Sequence, residues 1–221
     1  MRQTYEDNKR RIKAFKLTAD VKDDNGVVHH FFEGYEYVEI GGIKWATCNV
    51  GAEKETDGGL YFQWGETKGY VDANEKHFTC DDYKFGDYFN ISKYNELDGL
   101  TKLEPCYDAV TANMGESWRM PTSDEFNYLL YATTNKRTTV NGVNGRLFTD
   151  KTDSSKKLFF QAVGYCSYGT VYDVGRVGNY WSNSLDTSNA IYAKLLSFGY
   201  TYCCMDFGCR LIGYPVRGVI K

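Results

Sequence analysis

Cysteine and histidine have the widest chemical repertoire of the side chains in this sequence, and their spacing limits what they could do. The seven cysteines, an odd number, stand at Cys48, Cys80, Cys106, Cys166, Cys203, Cys204 and Cys209. No CxxC pair occurs, so neither a zinc ribbon nor a thioredoxin-type redox motif is supported. Cys203 and Cys204 are neighbours, and a bond between adjacent cysteines is strained, so free thiols are expected. A catalytic thiol needs a neighbour that lowers its pKa, and no His or Lys stands close in sequence to Cys203, Cys204 or Cys209. His29 and His30 are adjacent, which on a strand sends their rings to opposite faces, and His77 is far along the chain, so a zinc trio does not follow. Asp81, Asp82 and Asp87 have the oxygen chemistry for calcium, but an exposed acidic loop is the commoner meaning. No metal or other cofactor is expected, and the chain is not read as an enzyme.

The same cysteines belong to a stretch that suits contact better than catalysis. The run Tyr200-Thr201-Tyr202-Cys203-Cys204-Met205-Asp206-Phe207-Gly208-Cys209 is rich in aromatics and thiols. Between Phe159 and Ile220 there is no glutamate, and Lys194 is the single lysine. A plain core strand should alternate, and Cys203-Cys204-Met205 breaks that alternation, so the run is expected to be an exposed binding surface. Around it stand frame-like pieces: Phe159 to Tyr165, Gly178 to Ser184 and Arg210 to Arg217. Trp181 is expected to pack in the core, as are Trp45, Trp64 and Trp118. Arg119 and Arg217 are expected to donate to loop carbonyls.

The elements that must hold this surface follow from local signals. With 221 residues, 42% of them hydrophobic, the chain can bury a real core. The net charge of -3 leaves no polyanion footprint, which argues against nucleic acid. No apolar run reaches membrane-span length, so membrane insertion is not expected. Met1 to Lys16 is charged and lacks the apolar core of a secretion signal, so export by that route is not expected unless a leader has been removed. Thr4 to Thr18 reads as a short helix or an extended lead-in. Asn25-Gly26 marks a hairpin, and Tyr35 to Ile40 with Ile43 to Cys48 make two strands about the Gly41-Gly42 turn. Residues 51 to 115 read as loop, tied down by its own side chains or functional. A helix begins at Pro121, with Thr122 or Ser123 as N-cap and Phe126, Leu129 and Leu130 on one face. Val140 to Phe148 reads as turns leading into a strand, and short strands broken by Gly and Ser follow from Leu158. The expected class is α+β, with residues 1–36 as an N-terminal strand or hairpin lead-in, either separate from or part of the same domain, and 37–221 as one domain.

Several segments in order carry a family resemblance: Ile43 to Ala52, Tyr61 to Glu66, Ser117 to Phe126, Gly178 to Ser184 and Gly213 to Val219. Together they resemble the Fibrobacter major paralogous domain family, a bacterial branch of the C-type lectin-like fold common in gut Bacteroidetes and their phages. That fold is shared by formylglycine-generating enzymes and by the variable proteins of diversity-generating retroelements. The retroelement branch implies a C-terminal segment, here about 159–219, rewritten at adenines of asparagine codons. Such rewriting does not produce Lys, Glu, Gln, Met or Trp, which are nearly missing between Phe159 and Ile220. The candidate varied, ligand-binding positions are then Cys166, Tyr168, Asn179, Asn183, Leu185, Thr187, Tyr200, Tyr202, Cys203, Cys204, Phe207, Cys209, Leu211, Ile212 and Tyr214. Trp181, Arg217 and the glycines would be frame. The resemblance implies short antiparallel strands, one or two helices and much irregular loop. It implies a non-enzymatic protein on a phage tail or bacterial surface that meets a protein or glycan receptor. Its alternatives are an oxidase of the formylglycine-generating type using Cys203, Cys204 and Cys209, or an undiversified structural domain. Lectins of this fold that bind sugar through calcium carry Glu-Pro-Asn or Gln-Pro-Asp with Trp-Asn-Asp. Glu104-Pro105-Cys106 departs from the first, and Trp-Asn-Asp does not occur, so that activity is not implied. A surface rewritten codon by codon carries no fixed ligand chemistry, so neither the receptor nor an oligomeric state is expected from it.

Overall fold

The computed structural model describes residues 4–70 and 83–221. The chain starts with helix α1, Tyr5–Ala14, closed by a capping box between Thr4 and Asp7. Glu6 and Asp7 sit in its first turn and Arg11 and Lys13 in its last, both favourable to the helix dipole. Strands β1 (Ala19–Lys22) and β2 (Val28–Phe32) form the hairpin expected at Asn25-Gly26. The Asp23 carboxylate there accepts the Asn25 and Val27 N–H groups. Strands β3 (Tyr35–Ile40) and β4 (Ile43–Asn49) follow. They turn at Gly41 and Gly42, both at positive φ, where a side chain would be strained.

Of the two readings left open for residues 1–36, the sheet pairing favours the one in which they are part of the same domain. The last strand of the chain, β16 (Arg217–Ile220), pairs with β4 and then with the short β6 (Trp118–Arg119). The result is a sheet ordered β1-β2-β3-β4-β16-β6, so residues before position 37 share a sheet with the C-terminus. A second sheet holds β7 (Thr133–Val140), β8 (Val143–Asp150) and β9 (Lys157–Gln161). A third holds β12 (Gly178–Leu185), β13 (Tyr192–Phe198) and β14 (Cys203–Cys209). Two small ribbons complete the set. They pair β5 (Tyr61–Phe62) with β15 (Tyr214–Pro215), and β10 (Tyr165–Ser167) with β11 (Thr170–Tyr172). Pairing is antiparallel in all these ladders, and helices are few, which is an α+β arrangement dominated by β-sheet.

Helix α3, Ser123–Ala132, begins as expected, with Thr122 as N-cap and Glu125 completing a capping box. It buries Phe126 and Leu129. Several elements escape the sequence reading, among them β5 within the 51–115 stretch read as loop, and two longer ones. Helix α2, Ala109–Met114, is only six residues long, too short to show a helical period. Strand β7 is a polar run, TTNKRTTV, whose pairing partner β8 supplies the apolar side.

The core divides into two clusters. One gathers Trp64, Trp118, Trp181, Tyr94, Leu195 and Leu211. The other gathers Trp45, Phe126, Phe148, Phe160, Tyr180, Leu196 and Phe198. The long loop is tied down by its own aromatics. Phe85 lies edge-on to Tyr83, Tyr94 and Tyr107 at 5.1–5.6 Å. Asp98 accepts the N–H groups of Tyr94, Asn95 and Leu100. Asp87 is likewise occupied, by the N–H groups of Phe89 and Asn90. Asp81, Asp82, His77 and Cys80 lie outside the described residues. As a strand requires, His29 and His30 face apart: the first meets Glu36 at 2.6 Å and the second Asp20 at 2.7 Å.

Candidate ligand-binding surface

The β12–β13–β14 sheet sorts the candidate residues by register. Asn179, Ser197 and Cys204 form one cross-strand row, and Trp181, Leu195 and Asp206 the next. These share a face. The opposite face carries Phe198 with Cys203, Leu196 with Met205, Lys194 with Phe207, and Tyr192 with Cys209. Side chains alternate along a strand, so Cys203 and Cys204 part company. The expectation that Cys203-Cys204-Met205 breaks alternation is corrected. Cys203 and Met205 pack against the second core cluster, while Cys204 and Asp206 are exposed. Residue type concealed a pattern that burial shows, because cysteine is tolerated on either side.

Four candidate positions are not at the surface. Leu185 and Leu211 belong to the first core cluster and Cys166 to the second. Asn183 is buried, its main chain held between the Pro121 carbonyl and the Leu103 N–H. The surface reading is therefore corrected at Cys166, Asn183, Leu185 and Leu211: pairing and packing point these side chains inward. Tyr168, Thr187, Tyr200, Tyr202, Cys204 and Phe207 are exposed. Asn179, Cys203, Cys209, Ile212 and Tyr214 are half-buried. The Asn179 amide oxygen accepts the Ser197 hydroxyl at 2.8 Å. At the β13–β14 turn, Arg137 stacks its guanidinium 3.8 Å from the Tyr200 ring.

Tyr214 connects surface to core. Its ring lies edge-on to Trp181 at 4.7 Å, Tyr165 is 6.2 Å beyond it, and Tyr172 stacks on Tyr165 at 5.4 Å. Gly208 makes this possible, since a Cβ there would come within 2.8 Å of the Tyr214 ring and 2.7 Å of Leu195. Burial pushes the Tyr214 hydroxyl pKa up, with smaller contributions from Cys209, Tyr165 and then Asp206. Tyr172 was not singled out from sequence, and Tyr165 and Asp206 were named there only as members of longer segments. The available signal was the Tyr168-Gly169 turn, which folds β10 onto β11 and sets Tyr165 opposite Tyr172.

The frame beneath this face is held by side chains that bond main-chain atoms. Trp64 donates its indole N–H to the Ser182 carbonyl, and Trp181 returns the bond to the Phe62 carbonyl, each at 2.9 Å. Gln63 donates to the Leu211 carbonyl at 2.8 Å and Arg146 to the Tyr202 carbonyl at 2.7 Å. Arg210, fully buried, donates to the carbonyls of Lys93, Tyr94 and Ala190. Arg217 reaches the carbonyls of Ala46, Thr47 and Phe159, as expected of a structural donor, and burial pushes its pKa down. Arg119 donates to the Met120 carbonyl and both oxygens of Glu125. Ala190, whose carbonyl accepts from Arg210, lines an open groove of about 670 Å³ together with Leu97, Leu100, Leu185, Thr187 and Ile191.

Cys48, Cys106, Cys203 and Cys204 are free thiols. Burial pushes the Cys203 thiol up to about 11. Cys204 is also raised, by desolvation and then by Asp206. Both stay protonated at neutral pH, the weakly nucleophilic form. Among the described residues, no group of three or more His, Cys, Asp or Glu is arranged to hold a metal ion. No helix among them is long and apolar enough to cross a membrane. Comparison of the chain with protein-family models, curated proteins and solved structures finds no match.

Proposed function

We propose that this chain is a non-enzymatic binding protein of the C-type lectin-like class that displays a replaceable C-terminal surface to a protein or glycan receptor. The observation that carries this reading is the division between anchors and display. The frame bonds from Gln63, Trp64 and Arg146 end on the main-chain carbonyls of Leu211, Ser182 and Tyr202, within or beside the segment in question. A carbonyl is present whatever the side chain, so Tyr202 can be replaced without losing the Arg146 bond. Tyr168, Tyr200, Tyr202, Cys204 and Phe207 meanwhile stand exposed, and tyrosine provides wide contact area at small entropic cost.

The short antiparallel strands, few helices and long tied-down loop are what the C-type lectin-like resemblance implies. The near-absence of Lys, Glu, Gln and Met between Phe159 and Ile220 supports rewriting by a diversity-generating retroelement. The setting we propose is a phage tail or a bacterial surface. The thiol-oxidase alternative is disfavoured by the raised pKa values at Cys203 and Cys204.

The test is a codon library at Tyr168, Tyr200, Tyr202, Cys204 and Phe207, displayed and selected against unrelated protein and glycan targets. Most members should fold, and selections should yield binders that differ in target. A library in which most members unfold overturns the reading. Flanking DNA should carry a near-copy of the 159–219 codons with adenines at the mismatches, and a reverse transcriptase. DNA lacking both removes the diversification part.

A further inference from the structure

Among the described residues, β1 is one of the two end strands of the six-stranded sheet, and its ladder decides which of its main-chain groups face outward. Val21 lies opposite His29 and Lys22 opposite Val28, and the Asp23 N–H donates to the Val27 carbonyl at 2.9 Å. Hydrogen-bonded and non-bonded pairs alternate along an antiparallel ladder. Ala19, Val21 and Asp23 therefore bond inward to β2, and the N–H and C=O groups of Asp20 and Lys22 face the open edge. Both side chains are exposed, while Ala19 and Val21 are half-buried. Apolar side chains flank this edge in the exposed state: Phe15 at 70%, Leu17 at 38%, Val27 at 54% and Val28 at 42%.

Edge strands pair with other strands unless something prevents it, and edge charges commonly do. Asp20 and Lys22 would repel or strand an unrelated sequence. Against a second copy of themselves they match. In antiparallel pairing centred on Val21, Asp20 of one copy falls opposite Lys22 of the other. The same residues then exchange main-chain hydrogen bonds, which are the bonds their outward groups lack. Opposite charges directly across a ladder attract, and like charges repel. His30 Nδ1, at 2.7 Å from Asp20 Oδ1, already holds that carboxylate in place.

We infer that β1 is an interface for a second copy of this chain, joined antiparallel about a twofold axis at Val21. The two six-stranded sheets then run on as one. Such a contact is isologous, so it closes at a dimer. It also leaves the β12–β13–β14 surface free and doubles it, which lets two weak contacts act together on a multivalent receptor.

Sedimentation of the full chain over a range of concentrations tests this. The expected species at high concentration has twice the 25.3 kDa mass of the chain. Lys22→Pro removes an outward N–H that no described residue of the same chain uses, and should abolish association. Asp20→Lys and Lys22→Asp each set like charges opposite one another, and each should weaken association by about tenfold or more. The double variant D20K/K22D inverts both partners and should restore it. Circular dichroism and thermal unfolding confirm that each variant is folded. A monomer at every concentration overturns the inference. So does a dimer that survives Lys22→Pro, or a double variant that associates no better than the single ones.

Discussion

Strands β4 and β14 are similar in length and both run antiparallel to their neighbours, yet they are held in opposite ways. In β4 the side chains are the structure. Trp45 and Ala46 are buried in the two core clusters, and the Asn49 side chain bonds both the Arg217 guanidinium and the Gly58 carbonyl. Replacing any of these removes a partner. In β14 the side chains of Cys204, Asp206 and Phe207 are exposed, and the turn before it is held through the Tyr202 carbonyl. The difference teaches how a strand can be well placed and still free to change at some positions: Cys203 and Met205 pack inward, the turn before them is held through an atom that every residue shares, and Cys204, Asp206 and Phe207 are left exposed.

The sharpest break in this comparison is Arg210→Ala. It leaves the carbonyls of Lys93, Tyr94 and Ala190 without their donor in a buried setting, and should cost about 4 kcal/mol or more. Urea unfolding measures this, and a loss under about 1 kcal/mol would show that the frame does not rest on that bond set. Next comes a matched pair on the two sides of the divide. Leu211→Asn buries an amide in the first core cluster and should cost about 3 kcal/mol. Phe207→Asn, on the exposed side, should stay within about 0.5 kcal/mol while changing what the surface binds. Equal costs would erase the distinction between frame and display.

A pH series sharpens the frame side. Burial pulls the Glu125 carboxyl upward, but bonds from Arg119 and from the Thr122 N–H and hydroxyl outweigh it and hold the pKa below the usual glutamate value. The folded protein therefore binds this proton less readily than the unfolded chain. Its contribution is present above the ordinary glutamate range and disappears as pH falls through the folded value. Glu125→Gln should cost about 1–2 kcal/mol at neutral pH, with the gap to the parent closing in acid. A gap independent of pH would mean that the glutamate acts by shape alone. The smallest expected effect is Tyr200→Ser, which removes the stacking on Arg137 and should cost about 0.5 kcal/mol. Thermal unfolding is the readout, and a larger loss would move Tyr200 from display to frame.

Some of this architecture was legible before folding, and its limits are physical. The Gly41-Gly42 and Asn25-Gly26 turns are written in residues that accept the required backbone angles, and both hairpins form there. Helix α3 was legible for the same reason, since the bonds from Thr122 and Glu125 that start it span only three residues. Strand β7 was not, because its own residues are polar and its partner defines it. Among the candidate site residues outside the strands, Tyr168, Thr187, Tyr200 and Tyr202 are exposed, whereas Leu211, in the turn after β14, is buried. Those within strands divided unpredictably. Cys204 went out, and Leu185 went in.

The sequence by itself determined the local turns, the caps and the composition of the display segment, because these depend on neighbours a few residues apart. Only the tertiary structure decided which aromatics and thiols face water. That depends on register, and a shift of one residue exchanges the faces of a strand. Register in β14 is set by β13, and the turn before β14 is held by Arg146, far away in sequence. The placement of β16 beside β4, which ties both ends of the chain into one sheet, is decided in the same way, by Arg217 reaching carbonyls that no local pattern could announce.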